Sequence, residues 1–430
     1  MKENYPKILI ISHNLYDTTN NIGKTLVSLF EGWPKDRISQ IYFRNDKPSF
    51  RFCDEYYCIT DKEILKSTLS FGKYRAGYRV FKEGDVVFTE TEKNMYQLGN
   101  HRYPIISFVR DVLWNLGNWK TTELRKWISE VADPDVILFA PNDYCLAYRI
   151  ALYVQKICSK PIVPFYMDDS FYWDCKTSGI DLYRRKQIRR LAEEVHKHSP
   201  ELFTICEEMS EEYYKRYNVP CNVFVNSVPI TEEFIEHKAD GDIVISYLGN
   251  LHSNRWKAIV EVGKAIDKIC FEKDVKISFR VYSASLLEDK VRAYFERISC
   301  LEFKGAIPAE KVREKQRASD ILLHVEAFDQ KSINSTKLSL STKIPEYLSA
   351  GVCVFAYGPI EIASMKYLQK NSVAQICTEQ EALKDKLEEI VLNVESRKRY
   401  AKSGMELARE KHDIKMVSKA FQERLRKNEG

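Results

Sequence analysis

The side chains best suited to chemistry lie in residues 341–358, STKIPEYLSAGVCVFAYG. Ser341, Thr342 and Lys343 place two hydroxyls and an ammonium at a predicted helix entrance, where unpaired backbone N–H groups favour an anion. Pro345 fits only the first helical turn, in which its missing N–H costs nothing. Glu346 falls in that same turn and offers a carboxylate to a diol such as a ribose. Gly351 stops the helix ahead of an apolar strand, Val352 to Phe355. An anion pocket beside a diol acceptor suits a nucleoside diphosphate. The ordinary alternative is a capped helix whose Lys343 and Glu346 are solvated surface charges.

A second stretch points the same way. IVISYLGN (residues 243–250) is an expected strand ending on Gly249, and a helix is expected to follow within a few residues. A glycine there permits close approach of a phosphate-bearing ligand, and Arg255 is a suitable phosphate fork.

Taken together, the two stretches resemble the nucleotide-sugar signature of family-four glycosyltransferases of the GT-B fold: a small-residue/Lys entrance, a Glu, a Tyr-Leu, a Gly, then an apolar strand. The resemblance implies that Glu346 holds the ribose hydroxyls and that Ser341, Thr342 and Lys343 hold the diphosphate. It places Gly249 on the family's glycine, Asn250 on the arginine that follows it, and Arg255 on the lysine five residues later. Ala306 and Ile307, in Gly305-Ala306-Ile307-Pro308, stand where relatives set the nucleobase against backbone groups. Two departures accompany it. The family's first glutamate falls on Leu338, with Ser339 and Leu340 beside it, and a polar loop is expected over 331–343. Where the family often has a His-Asp pair, Met167 precedes Asp168.

The implied fold is α/β: two Rossmann-like doubly wound domains facing a cleft, with the C-terminal helix crossing back to the first. The implied reaction is transfer of a sugar from a nucleotide-sugar donor, UDP-linked, to a hydroxyl on a glycan or lipid-linked acceptor, with retention. Arg255 and Lys343 would stabilise the departing diphosphate, and Asp168 would orient an acceptor hydroxyl or bind the donor sugar. No tightly bound cofactor and no metal are expected. The alternatives are a catalytically impaired GT-B partner subunit that binds nucleotide, and a GT-B sugar-nucleotide epimerase.

The elements that must position these residues read as strands alternating with helices. Strands are expected at 7–12, 38–44, 55–59, 104–109, 136–140, 161–167, 202–206 and 222–225, then at 243–250, 277–283, 301–304 and 318–329, in parallel sheets covered on both faces. Gly-Lys-Thr at 23–25 is not a P-loop, since the earlier glycine it requires is Thr18. The loop after the first strand nonetheless lies at the carboxyl edge of the sheet, which makes Asn20, Asn21 and Gly23 acceptor-side candidates. Asp168 and Asp169 leave the 161–167 strand at the same edge, and adjacent carboxylates alternate in direction, so one faces the ligand. A helix N-cap is the plainer use of such a pair. The polar stretch 226–241, with Pro229 and Gly241, separates an acceptor-binding domain (1–225) from a nucleotide-sugar-binding domain (242–410) and a returning helix (411–430).

Composition narrows the partners. At 430 residues, 44% hydrophobic and 30% charged, with a net charge of +5, the chain has the balance of a soluble globular protein. It lacks the basic bias or module of a nucleic-acid binder. No apolar run approaches the ~20 residues of a membrane span, and MKENYPKILIIS reads as a first strand, not a secretory signal. The 11 cysteines have no paired spacing and read as reduced thiols. Cations alternate with aromatics at 72–82 and 113–126, and Arg184, Arg185, Lys186, Arg189 and Arg190 crowd one helix. These patches leave an anionic membrane surface open as a partner. The expected location is cytoplasmic, peripheral to the inner face of the membrane.

Overall fold

The computed structural model describes residues 5–17, 21–81, 104–169, 179–230 and 242–428. The chain divides into two compact units, Met1–Phe224 with Val417–Gly430, and Val225–Met416.

The first unit is built on runs too apolar to show either face to water. Strands β1 (Ile8–Ser12), β2 (Ile38–Tyr42), β5 (Val136–Phe139) and β6 (Ile162–Tyr166) are buried at every position, as a sheet covered on both sides requires. With β3 (Glu55–Cys58), β4 (Tyr78–Val80), β7 (Leu202–Thr204) and β8 (Cys221–Val223) they form a sheet of order β4-β3-β2-β1-β5-β6-β7-β8. Described pairings are parallel except β3 with β4. The covering helices include α1 (Asn21–Leu29), α2 (Asp61–Leu69), α3 (Pro104–Leu116), α4 (Cys145–Cys158), α5 (Gly179–His196) and α6 (Glu207–Tyr217).

Helix α3 corrects the strand expected at 104–109. The apolar run that suggested a strand continues to Leu116 with a 3.6-residue repeat, and Pro104 opens it at the first helical position, where proline is favoured.

The second unit carries a parallel sheet of order β11-β10-β9-β12-β13-β14, from β9 (Ile243–Leu248), β10 (Ile277–Tyr282), β11 (Leu301–Gly305), β12 (Ile321–Val325), β13 (Cys353–Tyr357) and β14 (Gln375–Cys377). Ile245, Phe279, Leu323 and Phe355 supply one face of its core, packed against Ile259, Ile266, Leu387 and Ile390. These last come from α7 (Arg255–Lys273) and from Leu383–Leu392. Further along lie α8 (Ala309–Arg317), α9 (Gln330–Thr336), α10 (Lys343–Ser349) and α11 (Ala363–Asn371). Helix α9 replaces the front of the loop expected over 331–343. Asp329 caps it by accepting from the Ser332 N–H at 3.1 Å, which starts a helix in a polar sequence.

Where the chain enters and leaves the second unit, the two segments are tied together. Val228 N donates to the His412 carbonyl (2.9 Å), Ile414 N donates to the Val228 carbonyl (3.1 Å), and the fully buried His412 ring meets the Asn226 carbonyl (2.8 Å) and the Tyr367 hydroxyl (2.7 Å).

The last helix, α12 (Ile414–Arg426), belongs to the first unit from Val417 onward. Phe421 is fully buried there, with ring centroids 5.3 Å from Phe30, 5.5 Å from Phe203 and 5.1 Å from Phe224. Arg424 pairs with the buried carboxylate of Glu201. Phe421→Ala is therefore expected to destabilise the first unit by about 3–5 kcal/mol, the usual cost of emptying an aromatic core site. Urea unfolding checks this, and a loss under about 1 kcal/mol would show that the helix is not part of that core.

Candidate functional site

In the second sheet β9 and β12 are neighbours, and the chain continues from β9 toward one edge and from β12 toward the other. Loops leaving the carboxyl ends of such a strand pair diverge and open a crevice, the usual ligand position in an open α/β sheet. Gly249 follows β9 directly, and its N–H donates to the Tyr282 carbonyl at 3.0 Å. A β-carbon at this glycine would collide with the Lys343 ammonium where it now lies, so a larger residue would displace the end of the lysine.

Lys343 begins α10 and folds over Tyr247, its Nζ 4.7 Å from the ring centre and 3.2 Å from the hydroxyl. That hydroxyl in turn donates to the Asn250 carbonyl at 2.5 Å. Arg255, the first residue of α7, forms a two-pronged pair with Glu326 just past β12: Nε donates to Oε2 at 3.1 Å and Nη2 to Oε1 at 3.2 Å. Its Nη1 donates to Asn250 Oδ1 at 3.2 Å. Glu326 is 2% exposed.

These charges are balanced against burial. Burial pushes the Glu326 carboxyl up, while Arg255 and Lys343 pull it back down. Burial and the neighbouring guanidinium lower the Lys343 ammonium to about 8, against the pull of Glu326 and Glu346. His324, on the same face of β12, has Nε2 3.6 Å from Glu326 Oε1, beyond hydrogen-bond distance. Burial, then Lys343 and Arg255, hold it down at about 3, so it is neutral. The cluster thus holds two cations within electrostatic reach of each other, Arg255 forked on Glu326 and Lys343 drawn by Glu326 and Glu346.

Helix α10 is pinned in place from both ends. The buried Tyr347 hydroxyl accepts from Leu248 N (3.0 Å) and donates to the Leu248 carbonyl (3.1 Å), continuing the end of β9 with a side chain. Arg313 and Arg317 of α8 donate to the Ser349 and Ala350 carbonyls, at 2.7 and 3.1 Å, and satisfy the helix's last acceptors. At its start Ser341 N donates to Ser364 Oγ (2.9 Å), and no side chain caps the helix at Thr342. The entrance expected at Ser341 and Thr342 is tethered to α11. Glu346 lies within electrostatic reach of Lys343, and Gln316 of α8 stands 3.5 Å from its Oε2. Ala306, exposed, and Ile307, half-buried, sit in the loop that leads from β11 to α8.

The structure therefore brings together Gly249, Asn250, Arg255 and Lys343, with Glu346 one helical turn beyond. Glu326 was missed by the sequence reading. Its signal is present: His324 and Glu326 are polar residues at i and i+2 in an otherwise apolar strand, which puts both on one buried face. Leu338, at the position of the family's first glutamate, is buried, as is Leu340.

In the first unit the carboxyl edge is more dispersed. Asp168 is exposed, whereas Asp169 turns inward, accepting from Arg216 at 3.2 and 3.3 Å and from the Tyr213 hydroxyl at 3.1 Å. Asp169 therefore braces α6 against the sheet and does not face outward as an acceptor contact. Asn21 opens α1 and Gly23 is buried within it; Asn20 lies outside the described residues. At this unit's own switch point, between β1 and β5, His13 packs against Tyr144 (5.3 Å), and the Arg110 guanidinium lies over the same ring (4.1 Å). Burial, with Arg110, holds the His13 imidazole neutral, down at about 4.

Removing the Glu326 carboxylate would strip the Arg255 guanidinium of its forked partner beside the Lys343 ammonium. Glu326→Ala is expected to cost about 3–5 kcal/mol, and Glu326→Gln, which keeps an acceptor for the guanidinium, clearly less. Denaturation of the two variants side by side checks this; equal losses would show that shape and not charge is what the site needs.

No family model and no curated protein matches the sequence. Similar solved structures exist throughout its length. HepE of Anabaena, in complex with UDP, superposes with a TM-score of 0.64 at 14% identity, over 98% of this chain and 100% of that one. Sucrose-phosphate synthase of Thermosynechococcus elongatus gives 0.63 at 11% identity, over 99% of each chain. A UDP-forming α,α-trehalose-phosphate synthase of Burkholderia vietnamiensis gives 0.59 at 10% identity, over 98% and 100%. Identities this low speak to architecture alone, and on that architecture, two Rossmann-like units along the entire chain, the protein has the GT-B fold.

Proposed function

We propose that the chain is a family-four-like glycosyltransferase that moves a sugar from a UDP-sugar to a hydroxyl of a glycan or lipid-linked acceptor, with retention, in glycan or polysaccharide biosynthesis. One observation carries this reading. Two segments nearly a hundred residues apart, 249–255 and 343–346, meet at the switch point of the second sheet and set the cations Arg255 and Lys343 within electrostatic reach of each other, with Glu326 forked to the first and Glu346 one helical turn from the second. The ligands held by similar structures support it: HepE binds UDP and UDP-glucose.

In this reading Arg255 and Lys343 meet the diphosphate, whose charge grows as the glycosidic bond breaks, so they stabilise the transition state more than the ground state. Glu346 accepts the ribose hydroxyls, a binding contribution that is the same in both. The loop of Ala306 and Ile307 receives the base, and Ser341 and Thr342 line the approach to the phosphates. Glu326 holds the Arg255 fork until the diphosphate shares it. Asp168, exposed at the edge of the first unit, orients the acceptor. In front-face retention the leaving phosphate oxygen takes the acceptor's proton, and no further base is required. The enzyme works in the cytoplasm at the inner face of an anionic membrane, where lipid-linked acceptors are found.

A second reading, a nucleotide-binding partner subunit without turnover, is favoured by the burial of Leu338 where the family has a glutamate. Release of nucleoside diphosphate from UDP-, GDP-, ADP- and CMP-sugars over an acceptor panel separates the two. Turnover supports transfer, and binding without turnover supports the subunit.

Two further outcomes follow. With donor varied at saturating acceptor, Arg255→Ala and Lys343→Ala should lower turnover by on the order of 10²-fold, while Glu346→Gln should mainly raise KM. Wild-type turnover in both cation variants would place the diphosphate elsewhere. The second concerns pH. Between about pH 7 and 8.5 the UDP charge is nearly constant, since a terminal phosphate titrates near 6 and the uracil N3–H loses its proton only at higher pH. Lys343 is charged only below about 8 in the free site. Affinity for UDP should therefore fall by calorimetry as pH rises across that window, and Lys343→Met should bind weakly and without that slope. A wild-type affinity flat across the range would remove Lys343 from the site.

A further inference from the structure

Helix α3 is held on three sides within the first unit. Arg110 and Trp114 donate to Asp61 at the start of α2, at 2.7 and 2.6 Å. The buried Arg184 of α5 donates to Asp111 at 2.8 Å, and Phe108 lies edge-on to Tyr183 of the same helix at 6.2 Å. The fourth side carries Ile105, Val109, Val112 and Leu116. At 3.6 residues per turn these four fall within an arc of roughly 60°. They are 62%, 49%, 39% and 64% exposed.

The neighbouring end of α2 extends this apolar strip with Leu69 and Phe71, 71% and 96% exposed. Phe71 is held at a φ of +52°, a conformation unfavourable for a bulky side chain, and its ring receives no burial in return. The loop that bears it is tied to the C-terminal end of α3: Asn118 Nδ2 donates to the Gly72 carbonyl (2.9 Å) and Ala76 N to the Asn118 carbonyl (3.0 Å). A contiguous exposed apolar face of this kind marks an interaction surface.

Its charges say with what. On one shoulder Lys73 and Arg75 are exposed, and on the other Lys186 and Arg190 of α5 are exposed. Among the described residues none of these four has a carboxylate within ion-pair distance. The carboxylates nearby are already taken: Asp61 by Arg110, Glu63 by Lys66, Asp111 by Arg184 and Asp181 by Arg185. Arg184, expected from sequence among lipid-facing cations, is thus a buried structural partner. A second copy of the chain would bring the same cations face to face without acids to meet them.

We propose that this face of the first unit, the α3 stripe with Leu69 and Phe71 between Lys73–Arg75 and Lys186–Arg190, docks on an anionic lipid bilayer. Its apolar side chains enter the boundary between headgroups and acyl chains, and its cations lie against the lipid phosphates. The proposal deepens the membrane placement given above and rests on it. It is independent of the donor chemistry.

The test uses the full chain and sedimentation with vesicles of phosphatidylcholine, either pure or with about a third phosphatidylserine, the anionic fraction that generates the surface potential. Wild type should sediment with the anionic vesicles only and be released by high salt, which shortens the screening length to ~3 Å at 1 M. Val109→Glu with Leu116→Glu, and separately Lys73→Glu with Arg75→Glu, should each weaken partition at least about tenfold, since each basic residue at the surface contributes about fivefold. All these positions are exposed, so melting should be unchanged. Wild-type partition in both variants would move the contact to another surface and overturn the proposal. No partition by wild type would overturn it together with the membrane placement, while UDP calorimetry on the same preparation reports separately on the donor site. A wild-type dimer in vesicle-free solution that Val109→Glu with Leu116→Glu converts to monomer would make the face a self-interface, and the proposal would fall.

Discussion

The second unit depends on a problem of buried charge. Arg255, Glu326 and Lys343 meet at the end of an apolar sheet, where an unpaired ion would be costly to keep. Glu326 gives both oxygens to Arg255, and the Lys343 ammonium rests on a phenol and a ring face at Tyr247. Small residues make the cluster possible. Gly249 leaves room for the ammonium, and at Gly358 a β-carbon would lie 2.9 Å from Glu326 Cβ.

Around that cluster, the rest of the unit works to hold α10 still. Tyr347 bonds both backbone groups of Leu248, two arginines of α8 close the helix's far end, and Ser364 fixes its approach. Positioning by rigid neighbours matters because a short helix has little stability of its own. The same logic explains α9. Capped by Asp329, it converts a polar sequence into a rigid connector and carries the chain to Leu338, which is buried where a carboxylate was expected.

The first unit is organised differently. Its edge residues are engaged largely with one another: Asp169 with Arg216 and Tyr213, His13 with Tyr144, Arg110 with Asp61. Its distinctive feature is outward, in the uncovered side of α3 and the cations flanking it. One unit thus concentrates charge at a strand end, and the other spreads apolar surface across a helix.

Much of this was legible in the residue order. The apolar runs at Ile8–Ile11 and Val352–Phe355 read as buried strands, and β1 and β13 form over them, while the spacing of Lys343, Glu346 and Gly351 foretold a helix start, its first turn and its stop. These are local signals, carried by neighbours along the chain. The sequence alone did not decide how polar residues would be spent. Asp168 and Asp169 look alike in the chain, yet the positions of Tyr213 and Arg216 draw one inward and leave the other exposed. Arg184 and Lys186 belong to one basic helix, but only Arg184 faces Asp111. The run at 104–109 reads as a strand until its continuation and its neighbours α2 and α5 make it a helix. Glu326 lies 71 residues from Arg255 in the chain, and no local pattern pairs them. Side-chain electrostatics depends on distances across the fold, and those were set only when β12 took its place beside β9.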